Sequence, residues 1–336
     1  VNVTVLENEA LKSALAVEMQ AGSAPDIFHS WGGGILAEQV DAGMVQSLEG
    51  QLDDWDALNE GAMSVWQVGG EQYGVPYTFG LVGFFYNKDL FDAHGIPYPD
   101  ETWTQDEYLD AMRRLTLDED GAGATDVWGG MIDVSWDRVQ VHVTAWGGNI
   151  VDPDDPASCA LDEPPALEAV EWLRARMWDD KVMATLLDVQ NLSTRDAFIE
   201  GAVATVEDGS WALKDILANA PFRVGVAPLP AGPAGRVTLA TTDGFGIYAG
   251  TQHPEEAWQL LKFLISDEYA LAMARANFLQ PAKASLVDDW AAVIRREFPE
   301  AAADVDLAAF ADGHINGYSV TAEVFPNMAD AKPLAY

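Results

Sequence analysis

GEQYGVPYTFGLVGFFYNKDLFDAHGIPYPDETWTQDEYLDAM, residues 70–112, joins a glycine-punctuated apolar run to a strongly signalled helix start. Val75, Tyr77, Phe79, Val82, Phe84, Phe85 and Tyr86 favour extended backbone, and Gly74, Gly80 and Gly83 mark bends or close approaches within that strand region. Turn residues follow at Gly95, Pro97 and Pro99. Thr104 and Glu107 then have the spacing of a capping box, flanked by Trp103 and Tyr108 as a hydrophobic staple. The helix continues through Tyr108, Met112 and Leu115. Such a sequence suits a chain crossing from one lobe to another.

Working outward, the same rhythm recurs. Leu11, Leu15 and Met19 predict a helix ending near Gly22, and residues 25–28 (PDIF) the next strand; Val1, Val3 and Val5 alternate as a strand would. Leu36, Val40 and Met44 predict another helix closing at Gly43. Pro164 and Pro165 suit the first turn of a helix lined by Leu167, Val170, Leu173 and Met177. Pro254 opens an amphipathic helix through Ala257, Leu260, Leu261, Leu264 and Ile265. The fold class expected is α/β, in two lobes.

Composition narrows the function. The 336 residues, 49% hydrophobic, suffice for two cores. No apolar run reaches the ~18 residues of a membrane-spanning helix. A net charge of −36 repels nucleic acid and anionic lipid surfaces. The acids are spread along the chain as a solvated surface would be, and screening of their repulsion should stabilise the fold, as in a protein from a saline environment. Cys159 is the single cysteine, so neither an intramolecular disulfide nor a cysteine-rich zinc site is available. The histidines, His29, His94, His142, His253 and His314, lack ligand spacing, and no GxSxG, GxxxxGK[ST] or HExxH motif occurs. No cofactor, metal or catalytic set is expected.

Several stretches carry a family likeness: AGSAPDIFHSWGG at 21–33, the 70–112 segment, AWGGNIVD at 145–152, FIEGAVATVEDGSWAL at 198–213, VGVAPLPAGPAGR at 224–236, DGFGIYAGTQHPEEAWQLLKFL at 243–264 and FLQPAKASL at 278–286. In this order they resemble the extracellular sugar-binding proteins of ABC importers. The resemblance implies a type II periplasmic-binding-protein fold, with lobes at 1–83 plus 241–277 and at 84–240 plus 278–336, a hinged cleft and a carbohydrate ligand. It also implies delivery to a membrane permease, an extracytoplasmic location with a possible lipid anchor, and a monomer. Family members usually extend further at both ends, so both ends are expected to be shortened here.

Sugars present C–H faces edged by hydroxyls, which call for aromatic plates and polar edges. Of the 12 tryptophans, Trp172, Trp178 and Trp258 fall in amphipathic helices and are read as packing. Trp31 ends a strand and precedes Gly32 and Gly33, where open α/β sheets bind ligands. Tyr77 and Thr78 precede the first crossing. Trp146 with Gly147 pairs a plate with permissive backbone, as does Trp211 after Asp208-Gly209-Ser210. Asp243 and Gly244 set a carboxylate beside a close-approach glycine, and Trp136 and Phe278 complete the set. Glu207 and Asp208 are further acids in reach of such a site. Three other functions stay open: a cationic-ligand or polyamine binder on the same fold, a glycoside-processing enzyme using two carboxylates, and a sensory ligand-binding module.

Overall fold

The computed structural model describes residues 1–51, 60–118, 120–155 and 158–322; residues 323–336, expected in the second lobe, lie outside them. The strands among the described residues are β1 (Ile27–Ser30), β2 (Gln67–Val68), β3 (Glu71–Gln72), β4 (Gly74–Pro76), β5 (Gly80–Asn87), β6 (Thr205–Gly209), β7 (Val224–Ala227), β8 (Thr238–Thr241), β9 (Gly244–Ile247) and β10 (Ser319–Thr321). The chain divides into two compact units. Unit 1 holds Val1–Phe79, Thr242–Ala272 and Pro281–Leu286; unit 2 holds Gly80–Thr241, Met273–Gln280 and Val287–Tyr336.

Unit 1 is built on a three-stranded sheet in the order β1-β9-β4, antiparallel throughout. Strand side chains alternate between faces, and each face has its own apolar cluster. Phe28 packs with Leu15, Met19, Leu36 and Trp66; Val75 and Ile247 pack with Leu48, Ala257 and Leu261. The helices Asn8–Ala21, Gly33–Asp41 and Pro254–Leu264 supply Leu15 and Met19, Leu36, and Ala257 and Leu261 respectively. Trp66 is the keystone of the first cluster. Its indole N–H donates to Thr242 Oγ1 at 3.2 Å, and its ring occupies the space that side chains at Gly74 and Gly244 would need.

Unit 2 is organised around β5, which pairs with β6, β7 and β8 and is buried along its whole length. Val82, Phe84 and Tyr86 face one cluster, with Phe91, Trp103, Tyr108 and Met112; Phe85 faces the other, with Phe198, Ile216, Trp290 and Phe310. The glycines of this run are close approaches: a Cβ at Gly83 would meet the Phe310 ring at 2.7 Å. The capping box forms as the spacing requires, with Thr104 N–H donating to Glu107 Oε2 at 2.9 Å and Glu107 N–H donating to Thr104 Oγ1 at 3.3 Å. Trp103 and Tyr108 pack 5.8 Å apart as its staple.

Three expectations change. Residues 1–7 form no strand, and Val1, Val3 and Val5 are exposed, since no strand among the described residues pairs with them. The helix opened by Pro164 and Pro165 buries Ala166, Ala169 and Leu173, leaving Leu167 and Val170 exposed. The small side chains face inward because a Cβ at Gly148 would already crowd Ala166, so there is no room for leucine there. Trp178, read as packing, is 59% exposed on the π-helical turn that follows.

Candidate functional site

In unit 1 the candidates gather around His29, which the sequence pattern did not single out as a sugar contact. It stands on β1 two positions before Trp31, and its ring lies 4.9 Å from the Trp31 ring, 6.1 Å from Tyr77 and 5.9 Å from Phe245, all edge-on. Tyr77 stacks on Phe245 at 5.0 Å and meets Tyr269 at 5.8 Å. His29 Nε2 is 3.8 Å from Asp243 Oδ1, and Nδ1 is buried with no hydrogen-bond partner. Lys12 Nζ sits 4.9 Å over the Trp31 ring.

Backbone hydrogen bonds fix the polar part. The amides of Tyr77 and Thr78 donate to the Asp243 carbonyl at 2.9 and 3.3 Å, and the Asp243 amide donates to Thr78 Oγ1 at 2.9 Å. The side chains of Tyr77 and Thr78 are therefore buried, whereas the Asp243 carboxylate is 32% exposed. Desolvation pushes the Asp243 carboxyl up to about 6, against the smaller pull of Thr78 and Lys12. Burial likewise lowers His29 to about 4, so at neutral pH the pair is a neutral imidazole beside a carboxylate.

The glycines of this region serve packing. A Cβ at Gly32 would meet Val65 at 2.8 Å, the Gly33 amide donates to the Val65 carbonyl at 2.8 Å, and Gly244 is covered by Trp66 and the Val75 carbonyl. These contacts take up the space and the Gly33 donor that a ligand was expected to use.

In unit 2 the candidates separate. Trp136 and Trp146, at the two ends of the Trp136–Ala145 helix, pack half-buried against a small cluster around Val143 and Ala166. Trp146 lies 5.5 Å from Trp172, which Arg176 covers at 5.1 Å. Gly147 closes that helix in a left-handed turn with φ 85°; its amide donates to the Thr144 carbonyl and that of Gly148 to Val143. Helix termination is thus what requires glycine there. Phe278 is fully buried, ringed by Phe298 and Trp290, whose indole N–H donates to the Phe278 carbonyl at 2.7 Å. It belongs to the core and is closed to ligand.

Trp211 follows β6 and carries Arg138 over its ring at 5.5 Å. One turn beyond Arg138, His142 Nε2 lies 3.2 Å from Glu207 Oε2, both side chains almost fully buried. Asp208 is consumed by Arg195, at 2.8 Å. Elsewhere in unit 2, Tyr98, Asp100, Trp103, Asp106, Asp110 and Arg114 line a cavity of about 460 Å³ that contains none of the candidates. The exposed carboxylates of Asp118, Asp120 and Asp126 lie within 4.8 Å of one another and accept the loop's own amides.

The family model for bacterial extracellular solute-binding proteins matches residues 1–271. The chain belongs to that family. The maltotriose-binding protein of Pyrococcus abyssi is 24% identical over 285 residues, 80% of this chain and 56% of its own length. A Brucella abortus binding protein is 27% identical over 288 residues, 83% of this chain and 66% of its own length. The chain thus spans less than two thirds of these relatives. Among solved structures, the ABC substrate-binding protein Lmo0181 of Listeria monocytogenes, in complex with cycloalternan, superposes with a TM-score of 0.85 at 24% identity, covering 99% of this chain and 83% of that one. A cyclo/maltodextrin-binding protein complexed with maltotetraose gives 0.77 at 21% identity, covering 99% and 81%. The fold is that of type II periplasmic binding proteins, and the family and these neighbours are binding proteins rather than enzymes. No described helix of this member is long and apolar enough to cross a membrane.

Proposed function

We propose that this solute-binding protein captures a carbohydrate, of the maltodextrin-like oligosaccharide class, outside the cytoplasm and hands it as a monomer to the permease of an ABC importer. The observation that carries the reading is the unit 1 constellation. Trp31 supplies an indole, His29 meets it edge-on and is itself packed by Tyr77 and Phe245, and the partly exposed Asp243 carboxylate lies 3.8 Å from the same His29. An aromatic face beside a charged acceptor matches the C–H faces and hydroxyl edges of a pyranose. Trp211 offers unit 2's aromatic surface, and Trp146 with Trp172 a second. The relatives and neighbours named for maltotriose and maltotetraose make those sugars the first probes.

A cationic ligand is the second reading, because Lys12 and Arg138 already seat cations on Trp31 and Trp211. A thermal-shift screen separates the two. Maltotriose, maltotetraose and mannobiose are expected to raise the melting temperature and spermidine to leave it unchanged; the opposite pattern would replace the carbohydrate with an amine. Calorimetry then measures the affinity, and analysis of the recovered sugar should return it uncleaved.

A further inference from the structure

Trp211 has only one face to offer a ligand. A Cβ at Gly209 would fall 2.2–2.3 Å from Cζ3, Cη2 and Cζ2 of the indole, so the β6 backbone lies flat against one side of the ring. Gly80 also approaches the ring, where a Cβ would come 3.4 Å from Cε3. The guanidinium of Arg138 covers the ring on the side left open, with Cζ 5.5 Å from the centroid.

Arg138 and Arg236, each with a buried guanidinium nitrogen lacking an acceptor and each lying over an aromatic ring, differ from six other arginines of unit 2. Arg113, Arg114, Arg174, Arg176, Arg195 and Arg223 each lie within 4.0 Å of a carboxylate. Acids outnumber bases threefold in this chain, 54 to 18, so a carboxylate partner is easily found. Among the described residues Arg138 has none, and its Nη1 is buried without a hydrogen-bond acceptor. A buried charged donor left unpaired is costly. His142, one turn further along the same helix face, and its partner Glu207 on β6 add a buried Nδ1 and a buried Oε1 that are also without partners.

We propose that Arg138 is a specificity-determining ligand contact that caps Trp211 in the empty protein and turns to the ligand's hydroxyl oxygens when a sugar ring takes its place. This rests on the carbohydrate reading above. A pyranose and a guanidinium cannot share one indole face, so stacking requires that Arg138 leave. The displaced fork offers two parallel N–H donors, which suit a pair of adjacent hydroxyls. The class of sugar selected is therefore one whose stacked residue carries a vicinal diol.

The test is calorimetry of wild type, Arg138→Ala and Arg138→Lys with maltotriose, maltotetraose and mannobiose, with thermal unfolding of each variant. Arg138→Ala should weaken the best-bound sugar by about tenfold or more, the loss expected of a charged hydrogen bond. Arg138→Lys, which keeps the charge but not the fork and serves if the alanine variant does not fold, should fall between. In the sugar-free protein Arg138→Ala should raise acrylamide quenching of tryptophan fluorescence, an increment absent when Trp211→Phe is added. Unchanged or tighter binding by Arg138→Ala, or wild-type affinity in Arg138→Lys, would overturn this role while leaving the carbohydrate reading intact. Failure of all three sugars to bind wild type would remove that reading and this role with it.

Discussion

Trp31 and Trp211 both carry a cation over the indole, yet they are held in different ways. Trp31 directly follows β1 and leans edge-on against His29, at 4.9 Å and 81°. Trp211 lies on main chain, with the Gly209 backbone flat beneath it. One plate is aimed by an imidazole that other rings and a carboxylate surround; the other is fixed by a steric floor. Unit 1 should therefore respond to pH and to changes in neighbouring side chains, and unit 2 to changes of backbone volume.

The sharpest break in that comparison is Gly209→Ala. The added methyl overlaps the indole and the ring must move, which should cost about 1–3 kcal/mol of stability as an overpacked site and weaken sugar binding together with it. Urea unfolding and calorimetry check both, and an unchanged unfolding midpoint would show that Trp211 is not supported by this strand. The counterpart in unit 1 is His29→Ala. It removes the ring shared by Trp31, Tyr77 and Phe245 and should weaken binding about fivefold to tenfold, an aromatic contribution of ~1 kcal/mol. The near-UV circular dichroism of the indoles should change with it. Binding and spectrum both equal to wild type would mean that Trp31 is aimed by something else.

The next effect is pH dependence, which should belong to unit 1. Asp243 has its carboxyl raised to about 6 by desolvation, so it loses its charge as pH falls through 6, well before an ordinary carboxylate would. A charged acceptor bonds a hydroxyl more strongly than a neutral one by about 1 kcal/mol. Affinity should thus fall about fivefold between pH 7 and pH 5, and Asp243→Asn should flatten the profile. For stability the sign is opposite. A raised carboxyl means the folded state holds the proton more tightly than the unfolded one between about 4 and 6, so this group makes the fold less stable as pH rises across that window. Asp243→Asn should then raise the melting temperature at pH 7 more than at pH 4. His29, lowered to about 4, acts the other way, and its contribution is lost as pH falls from about 6.5 to 4. An affinity independent of pH in wild type would remove Asp243 from the site.

Local physics made much of this legible in the sequence. The capping box at Thr104, the proline starts at Pro164 and Pro254 and the close-approach glycines of β5 are encoded within a few residues and appear as read. Trp31 and Asp243 were visible as a strand end and a glycine-flanked acid. What hid the rest is pairing across distance. β1 meets β9 with His29 opposite Phe245, 216 positions away, and no local pattern sets that register. The alternation of His29 and Trp31 on one strand face was the available clue to His29. Phe278 shows the converse error, an aromatic beside a crossing that the Val287–Glu297 helix claims for its core through Trp290. Arg138 carried no signal at all, since an arginine in a first helical turn says nothing of which ring it will cover.

The smallest effect tests the two cations against each other. Lys12 reaches Trp31 from the Asn8–Ala21 helix as a flexible ammonium and makes further interactions of its own, so its hold on the ring is one contact among several. An ammonium is a compact, strongly hydrated charge that water reclaims easily, whereas a guanidinium lies flat on an indole and is more weakly hydrated. Displacing Lys12 should therefore cost a ligand less than ~1 kcal/mol, the value for exposed cation–π pairs. Lys12→Met should change sugar affinity by about threefold or less, in either direction, while Arg138→Ala shifts it by tenfold or more. Equal losses in the two variants would mean that the cations do the same job on both plates, and the contrast between an aimed indole and a floored one would then have no consequence for binding.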